Sequence, residues 1–205
     1  NIQGLPTWYE IRVSGEGHRA RRDGVDVMVA MNAQTYVEDL AALVPGGVLI
    51  YDSTWPRSGE LRRDDVQVLG IPLSAMCNEA FDGVRARILM KNVAYVGALA
   101  ALLDLDLGII RQLLEETFAA KPALVEANLQ AIRMGHDYAT THFDCPLPVR
   151  VAPAEKTAGH IMIDGNTAAA LGCLYAGATV GAWYPITPST SLMDAFRSFC
   201  ARHRV

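Results

Sequence analysis

Two short apolar runs on either side of one helical-period segment constrain this chain more than any other feature. Val25-Asp26-Val27-Met28-Val29-Ala30 and Val48-Leu49-Ile50-Tyr51-Asp52 are nearly continuous apolar stretches, which predicts strands covered on both faces rather than half-wet ones. Between them, Tyr36, Val37, Leu40, Ala41 and Val44 fall at helical spacing over Gln34 to Val44, and Pro45-Gly46-Gly47 predicts a stop. Val66 to Ile71 predicts a third strand. Strand, helix and strand joined by short connections is the signature of a parallel sheet.

The remaining pattern fits around that unit. Leu5 to Val13 alternates, with Trp8, Tyr9, Ile11 and Val13, and predicts a strand; Gly15, Gly17 and Gly24 mark the loop after it. Three helices are predicted beyond the sheet, over Val84 to Leu105, Leu107 to Ala120 and Ala123 to Tyr138, the last two parted by Lys121-Pro122. From Thr141 to Ala158 periodicity is lost and Pro146, Pro148 and Pro153 cluster, as in an extended linker. Pattern resumes with Ile161-Met162-Ile163, a small-residue helix Thr167 to Ala176, a strand Thr179 to Tyr184 and a helix Ser189 to about Ala201. The fold class is therefore α/β: a Rossmann-like domain with a helical block over 1–140, a linker over 141–158, and the opening βαβα unit of a second domain over 159–205. The chain opens on Asn1 with no initiator Met and no signal-peptide pattern, and reads as a fragment of a longer subunit.

Composition removes several function classes. The net charge is -4, with 18 Lys+Arg against 22 Asp+Glu, so no broad basic face for nucleic acid is expected. Apolar stretches are interrupted short of the roughly 20 residues that a bilayer helix needs, so no spanning segment is expected. Cys77, Cys145, Cys173 and Cys200 form no CxxC pair, and reduced, mostly buried thiols of a cytoplasmic protein are expected. The five histidines form no HxH or HxxxH pair, and no metal site is expected on this chain. No GxGxxG, Walker A or GxSxG sequence is present.

The most specific constellation lies near the end. Asp164-Gly165-Asn166-Thr167-Ala168-Ala169-Ala170-Leu171-Gly172 offers a helix cap at Asp164 or Asn166 and a run of small residues that lets a backbone or a cofactor approach closely. Gly181-Ala182-Trp183-Tyr184-Pro185-Ile186-Thr187-Pro188-Ser189-Thr190 ends a predicted strand in a stiff turn, with prolines on either side of Ile186-Thr187. Taken alone, each piece also reads as capping and packing, with Ser189 as the cap of the last helix. Asn32 and Gln34 follow the carboxyl end of the first buried strand, where nucleotide-like ligands bind in open α/β sheets; Asn32 reads equally as a helix cap. Arg19-Ala20-Arg21-Arg22 and the Arg57, Arg62, Arg63 group could meet phosphates or an acidic partner, or simply be solvated.

The pair DGNTAAALG and WYPITPST resembles the start of the thiamine-diphosphate domain in the alpha subunit of 2-oxoacid:ferredoxin oxidoreductases. Gln3-Gly4-Leu5-Pro6-Thr7-Trp8-Tyr9-Glu10, Met31-Asn32-Ala33-Gln34-Thr35-Tyr36 and Tyr51-Asp52-Ser53-Thr54-Trp55-Pro56 are similar to that family's gamma domain. The gamma-before-alpha order looks most like the 2-oxoglutarate type, and the resemblance covers essentially the whole chain. The family's glycine-rich segment at the start of the gamma domain is absent.

That resemblance implies a cytoplasmic enzyme of central carbon metabolism. Thiamine diphosphate would lie between this chain and a beta subunit holding Mg2+ and a [4Fe-4S] cluster, coenzyme A would take the acyl group, and ferredoxin the electrons. It assigns substrate binding to Tyr184, Pro185, Ile186, Thr187, Pro188 and Ser189, with Thr187 donating to the 2-oxoacid carboxylate. Thr187 satisfying only its own turn remains the alternative. Asp164, Gly165 and Asn166 are candidates for cofactor contact and Asn32 for coenzyme A. The carboxylate that activates the aminopyrimidine, and a substrate-pairing arginine, would lie beyond Val205. A higher hetero-oligomer inactive without its beta subunit is expected. Rival readings are a pyruvate or branched-chain 2-oxoacid enzyme, and a non-catalytic assembly module.

Overall fold

The computed structural model describes residues 6–18, 20–55 and 61–203. They fall into two compact units, residues 1–153 and 154–205.

In the first unit, β1 (Val25–Ala30), β2 (Leu43–Asp52) and β3 (Gln67–Ile71) form a parallel sheet in the order β1-β2-β3. Met28 pairs with Leu49 and Ala30 with Tyr51; on the other side of β2, Ile50 pairs with Leu69 and Asp52 with Ile71. Alternation along β2 sends its side chains to opposite faces. Leu49 packs with Ala30 and Leu43, under Tyr36 and Leu40 of α1 (Tyr36–Ala41) and under Leu61. Val48 and Ile50 face the other way, onto Leu73 and Cys77 of α2 (Leu73–Ala80) and onto Met90, Ala94, Tyr95, Ala98 and Leu102 of α3 (Val84–Leu103). Both faces are covered, as the continuous apolar runs require.

The first helix is shorter than its periodicity predicts, ending at Ala41 instead of Val44. Leu43 pairs with Val25 and is buried, and a residue before proline avoids the helical region, so Val44-Pro45 continues as strand. A Cβ on Gly47 would sit 2.9 Å from the Val44 carbonyl oxygen, so only glycine fits where β2 bulges between Leu43 and Val48. The expected strand Leu5 to Val13 begins in residues outside the description, and residues 6–14 form none. Tyr9 is 92% exposed and Ile11 75%, so nothing among the described residues covers its alternating face.

The helical block forms nearly as expected. α4 (Leu107–Thr117) is capped by Asp106, whose carboxylate accepts the Gly108 amide at 2.7 Å, and α5 (Pro122–His142) opens on its proline. α3 and α5 cross at backbone contact: a Cβ on Gly97 would lie 2.0 Å from the Ile132 carbonyl oxygen, and one on Gly135 1.9 Å from that of Ala94. By length and composition α3 is apolar enough to cross a membrane, contrary to the reading from uninterrupted stretches; here its small-residue face is taken up by α5. After α5 the proline-bearing segment is not loose throughout. Leu147 is buried, and the Leu147 and Val151 amides donate to the Leu102 and Leu103 carbonyls at 2.8 and 2.9 Å.

The second unit consists of α6 (Gly165–Tyr175) and α7 (Ser189–His203) with extended segments before and between them. Ala170 and Phe196 are its buried residues. Thr179 to Tyr184 forms no strand, because no neighbouring strand among the described residues of this unit offers a ladder; Gly181 instead lies against Met193 and Phe196 of α7. Ile161 to Ile163 is likewise extended without pairing.

Candidate functional site

The turn from Tyr184 to Ser189 is closed by its own backbone and by Ser189. The Ile186 amide donates to the Tyr184 carbonyl at 2.8 Å, and the Ser189 amide to the Ile186 carbonyl at 2.8 Å. Ser189 Oγ donates to the Ile186 oxygen at 2.7 Å and lies 3.2 Å from the Tyr184 oxygen. Ser189 therefore does not cap α7 as the sequence suggested; its hydroxyl points back into the turn. The Thr187–Pro188 peptide is cis.

Asn166, in the first turn of α6, joins this turn to the other helix. Its side-chain amide donates to the Pro188 carbonyl at 2.8 Å and to Ser191 Oγ at 2.7 Å. Asp164 is the cap of α6, accepting the Thr167 amide at 2.9 Å and its hydroxyl at 2.6 Å. Those hydrogen bonds from Thr167 hold the Asp164 carboxyl below its ordinary range. The structure thus brings Asp164, Gly165 and Asn166 together with the turn through Asn166. Thr187 is exposed and its hydroxyl makes no hydrogen bond among the described residues, so it has no part in satisfying the turn.

In the first unit, Asn32 stands two residues past β1. Its carboxamide oxygen accepts the Gln34 amide at 3.0 Å, and its backbone carbonyl accepts Thr35 Oγ1 at 3.0 Å, which is the capping geometry. A polar cluster built on Asp52 and Thr54, which the sequence singled out only as part of a family-like segment and gave no role, closes the same carboxyl edge. Asp52, buried at the end of β2, accepts the Thr54 hydroxyl at 2.6 Å and the Thr54 and Ser74 amides at 3.1 and 3.3 Å. It also accepts the Ser74 hydroxyl, and Lys91 Nζ lies 3.6 Å from it. Thr54 Oγ1 accepts the Ala75 amide at 3.0 Å. α2 has no cap of its own, so residues some twenty positions upstream occupy its orphan amides. Burial pushes the Asp52 carboxyl up, but the Ser74 and Thr54 hydrogen bonds outweigh burial and leave it below its ordinary value. Burial, reinforced by the Asp52 charge, raises Tyr95 and Cys77. The signals for this cluster were the family-like segment Tyr51 to Pro56 and an acid ending an apolar strand, two residues before a threonine.

The arginine groups resolve unevenly. Arg19 and Arg57 lie outside the described residues. Arg21 pairs with Glu10 and Arg22 with Asp26. Arg63 donates to the Leu40 and Leu43 carbonyls, both at 2.8 Å, and to both oxygens of Asp65, so it ties α1 to the start of β2. Of the four free cysteines, Cys77 is buried, Cys145 and Cys200 are half-buried and Cys173 is exposed. Among the described residues no group of three or more His, Cys, Asp or Glu is placed to hold a metal ion.

A parallel sheet covered on both faces, followed by a capped helix bonded to a proline-bounded turn, defines an α/β protein whose polar groups collect at strand and helix ends. Residues 1–138 match the family described as pyruvate ferredoxin/flavodoxin oxidoreductase, and the chain belongs to that family. It is 24% identical to subunit alpha of 2-oxoacid:ferredoxin oxidoreductase 2 of Aeropyrum pernix, over 93% of this chain and 35% of that protein. It is 28% identical to the 2-oxoglutarate oxidoreductase subunit KorA of Mycobacterium tuberculosis, over 90% and 32%. A solved 2-oxoglutarate:ferredoxin oxidoreductase from Magnetococcus marinus, with 2-oxoglutarate, coenzyme A and succinyl-CoA bound, superposes with a TM-score of 0.71 at 26% identity. That match covers 88% of this chain and 31% of the solved one. The chain spans about a third of the length of the curated relatives it matches.

Proposed function

We propose that this chain is the gamma–alpha portion of the alpha subunit of a 2-oxoacid:ferredoxin oxidoreductase, with 2-oxoglutarate as substrate. Residues 1–140 form the gamma domain, 141–158 the linker and 159–205 the start of the thiamine-diphosphate domain, in a cytoplasmic hetero-oligomer with a beta subunit. The observation that carries the reading is Thr187: a hydroxyl held out on a turn whose backbone is satisfied by Ser189 and Asn166. Such a hydroxyl is a ready donor to a substrate carboxylate.

The residues present fit one end of a thiamine-diphosphate site. The turn offers a hydroxyl and the apolar surfaces of Tyr184, Pro185, Ile186 and Pro188, while no cationic side chain bonds to it among the described residues. The family resemblance assigns the grip on the diphosphate and Mg2+ to the beta subunit, together with the [4Fe-4S] cluster that passes electrons to ferredoxin. When bound, thiamine diphosphate supplies the nucleophilic carbon for the keto group. Thr187 orients the substrate by its carboxylate. At the carboxyl edge of the sheet, the Asn32 side-chain amide offers a donor to coenzyme A, which accepts the acyl group.

The test is ferredoxin reduction by the full-length subunit assembled with its partner, with 2-oxoglutarate, pyruvate and 2-oxoisovalerate in turn. We expect reduction that requires coenzyme A and the partner, with the highest kcat/KM on 2-oxoglutarate. A preference for pyruvate or 2-oxoisovalerate would move the substrate assignment. No reduction with any 2-oxoacid would leave a non-catalytic assembly module.

A further inference from the structure

We propose that Asn166 is a positioning residue for Thr187, fixing the substrate-facing turn to α6 through the two hydrogen bonds of its side-chain amide. The proposal rests on the reading that Thr187 contacts the 2-oxoacid carboxylate.

Asn166 has no other evident task in the fold. Asp164 already caps α6, so a second capping side chain is not needed two residues later. Asparagine is a poor helix former, and inside the first turn it weakens α6 unless its side chain does something else. What it does is reach across 22 positions to the Pro188 carbonyl and across 25 to Ser191 Oγ, at 2.8 and 2.7 Å. Pro188 directly follows Thr187. Ser189, the first residue of α7, closes the turn onto its own helix through the Ile186 and Tyr184 carbonyls, but gives it no attachment to α6. Asn166 supplies that attachment. Ser191 Oγ also lies 3.2 Å from the Pro188 oxygen, so carbonyl, hydroxyl and amide form one closed set. Both bonds need an N–H donor. A carboxylate of the same shape has none and would repel the Pro188 oxygen.

The chemistry of the contact sets the expected phenotype. Thr187 faces the substrate's carboxylate, so loosening its support weakens binding of the 2-oxoacid and leaves coenzyme A binding alone. It does not remove the donor itself.

The experiment is steady-state kinetics of the full-length subunit assembled with its partner, comparing Asn166→Asp, Thr187→Val and the double variant. Losing two neutral hydrogen bonds should lower kcat/KM for the 2-oxoacid about 5- to 30-fold, chiefly through KM, with the KM for coenzyme A unchanged. In the double variant the loss should be no greater than with Thr187→Val alone, because Asn166 acts through that hydroxyl. Wild-type kinetics for Thr187→Val would overturn the reading beneath the proposal. An impaired Thr187→Val beside a wild-type Asn166→Asp, or losses that multiply in the double variant, would overturn the proposal while that reading stands. A merely structural asparagine would raise both KM values together, which also counts against it. If Asn166→Asp does not assemble, Ser191→Ala decides: it removes one of the two acceptors, and a 2-oxoacid KM raised about 2- to 5-fold supports the proposal. An unchanged KM in Ser191→Ala overturns it.

Discussion

The two units use apolar residues in opposite ways. In residues 1–153 the large aliphatic side chains of the sheet are sealed on both faces: Leu49, Ile50, Ile71, Leu73 and Leu102 are fully buried. In residues 154–205 Ala170 and Phe196 are the buried side chains, while Met162, Tyr175, Val180 and Tyr184 stand in solvent. The polar groups differ in the same sense. Asp52 and Arg63 are consumed by the fold, capping α2 and tying α1 to β2. Thr187 is left out of it. The first unit seals its sheet and ties up Asp52 and Arg63, although Tyr9, Val37 and Val84 elsewhere in that unit also stand in solvent; the second has few buried side chains and leaves Thr187 outside its own hydrogen bonds.

The largest effect that could break this contrast is expected at the α3–α5 crossing. Gly135→Val places side-chain atoms where a Cβ alone would be 1.9 Å from the Ala94 carbonyl oxygen, and neither helix backbone can yield. We expect a loss of about 3 kcal/mol or more, seen as a lower urea midpoint of the full chain. A midpoint within about 0.5 kcal/mol of wild type would show the crossing to be loose.

Next comes Asp52. Asp52→Ala leaves the Ser74 and Thr54 donors and Lys91 without their partner, at an expected cost of about 2–3 kcal/mol. The sign of its pH dependence follows from the depressed carboxyl. The charged form contributes stability that is fully present above the unfolded value near 3.8 and is lost as pH falls through the lower folded value. The gap in urea midpoint between wild type and Asp52→Asn should therefore hold from pH 7 to about 5 and narrow below about 4. A gap that widens toward acid would reverse the assignment.

The smallest effect sharpens the other side of the contrast. Gly172 lies in α6, and a Cβ there would meet nothing within 4 Å. Gly172→Ala should stabilise the chain by about 0.5–1 kcal/mol through helix propensity. In the assembled enzyme the same change should weaken association with the partner, if that face is covered there. Equal stabilisation of chain and assembly would mean that it stays exposed.

How far the sequence could be read follows the same division. β1 to β3, α3 to α5 and the two last helices were legible because each carries its own period or its own cap, as Asp106 and Asp164 do. α2 was not, since the side chains that cap it stand at Asp52 and Thr54, beyond any local window. The strands expected at Leu5 to Val13 and Thr179 to Tyr184 have the right composition, but a strand needs a neighbour to donate to. Around the site, the cap offered at Asp164 or Asn166 is made by Asp164, whereas Ser189 turns its hydroxyl away from α7, and the partners of Ser189 and Asn166 lie on a turn whose path no periodicity encodes.

The central claim is that Thr187 is held out to donate to the substrate carboxylate, and one pair of variants tests it. Thr187→Val keeps the shape and removes the donor; Thr187→Ser keeps the donor. With the full-length subunit assembled with its partner, kcat/KM for the 2-oxoacid should fall about 10- to 150-fold in the valine variant, the worth of a charge-assisted hydrogen bond. The serine variant should keep most of its efficiency. Near wild-type efficiency for Thr187→Val, or equal losses in both variants, would contradict the account.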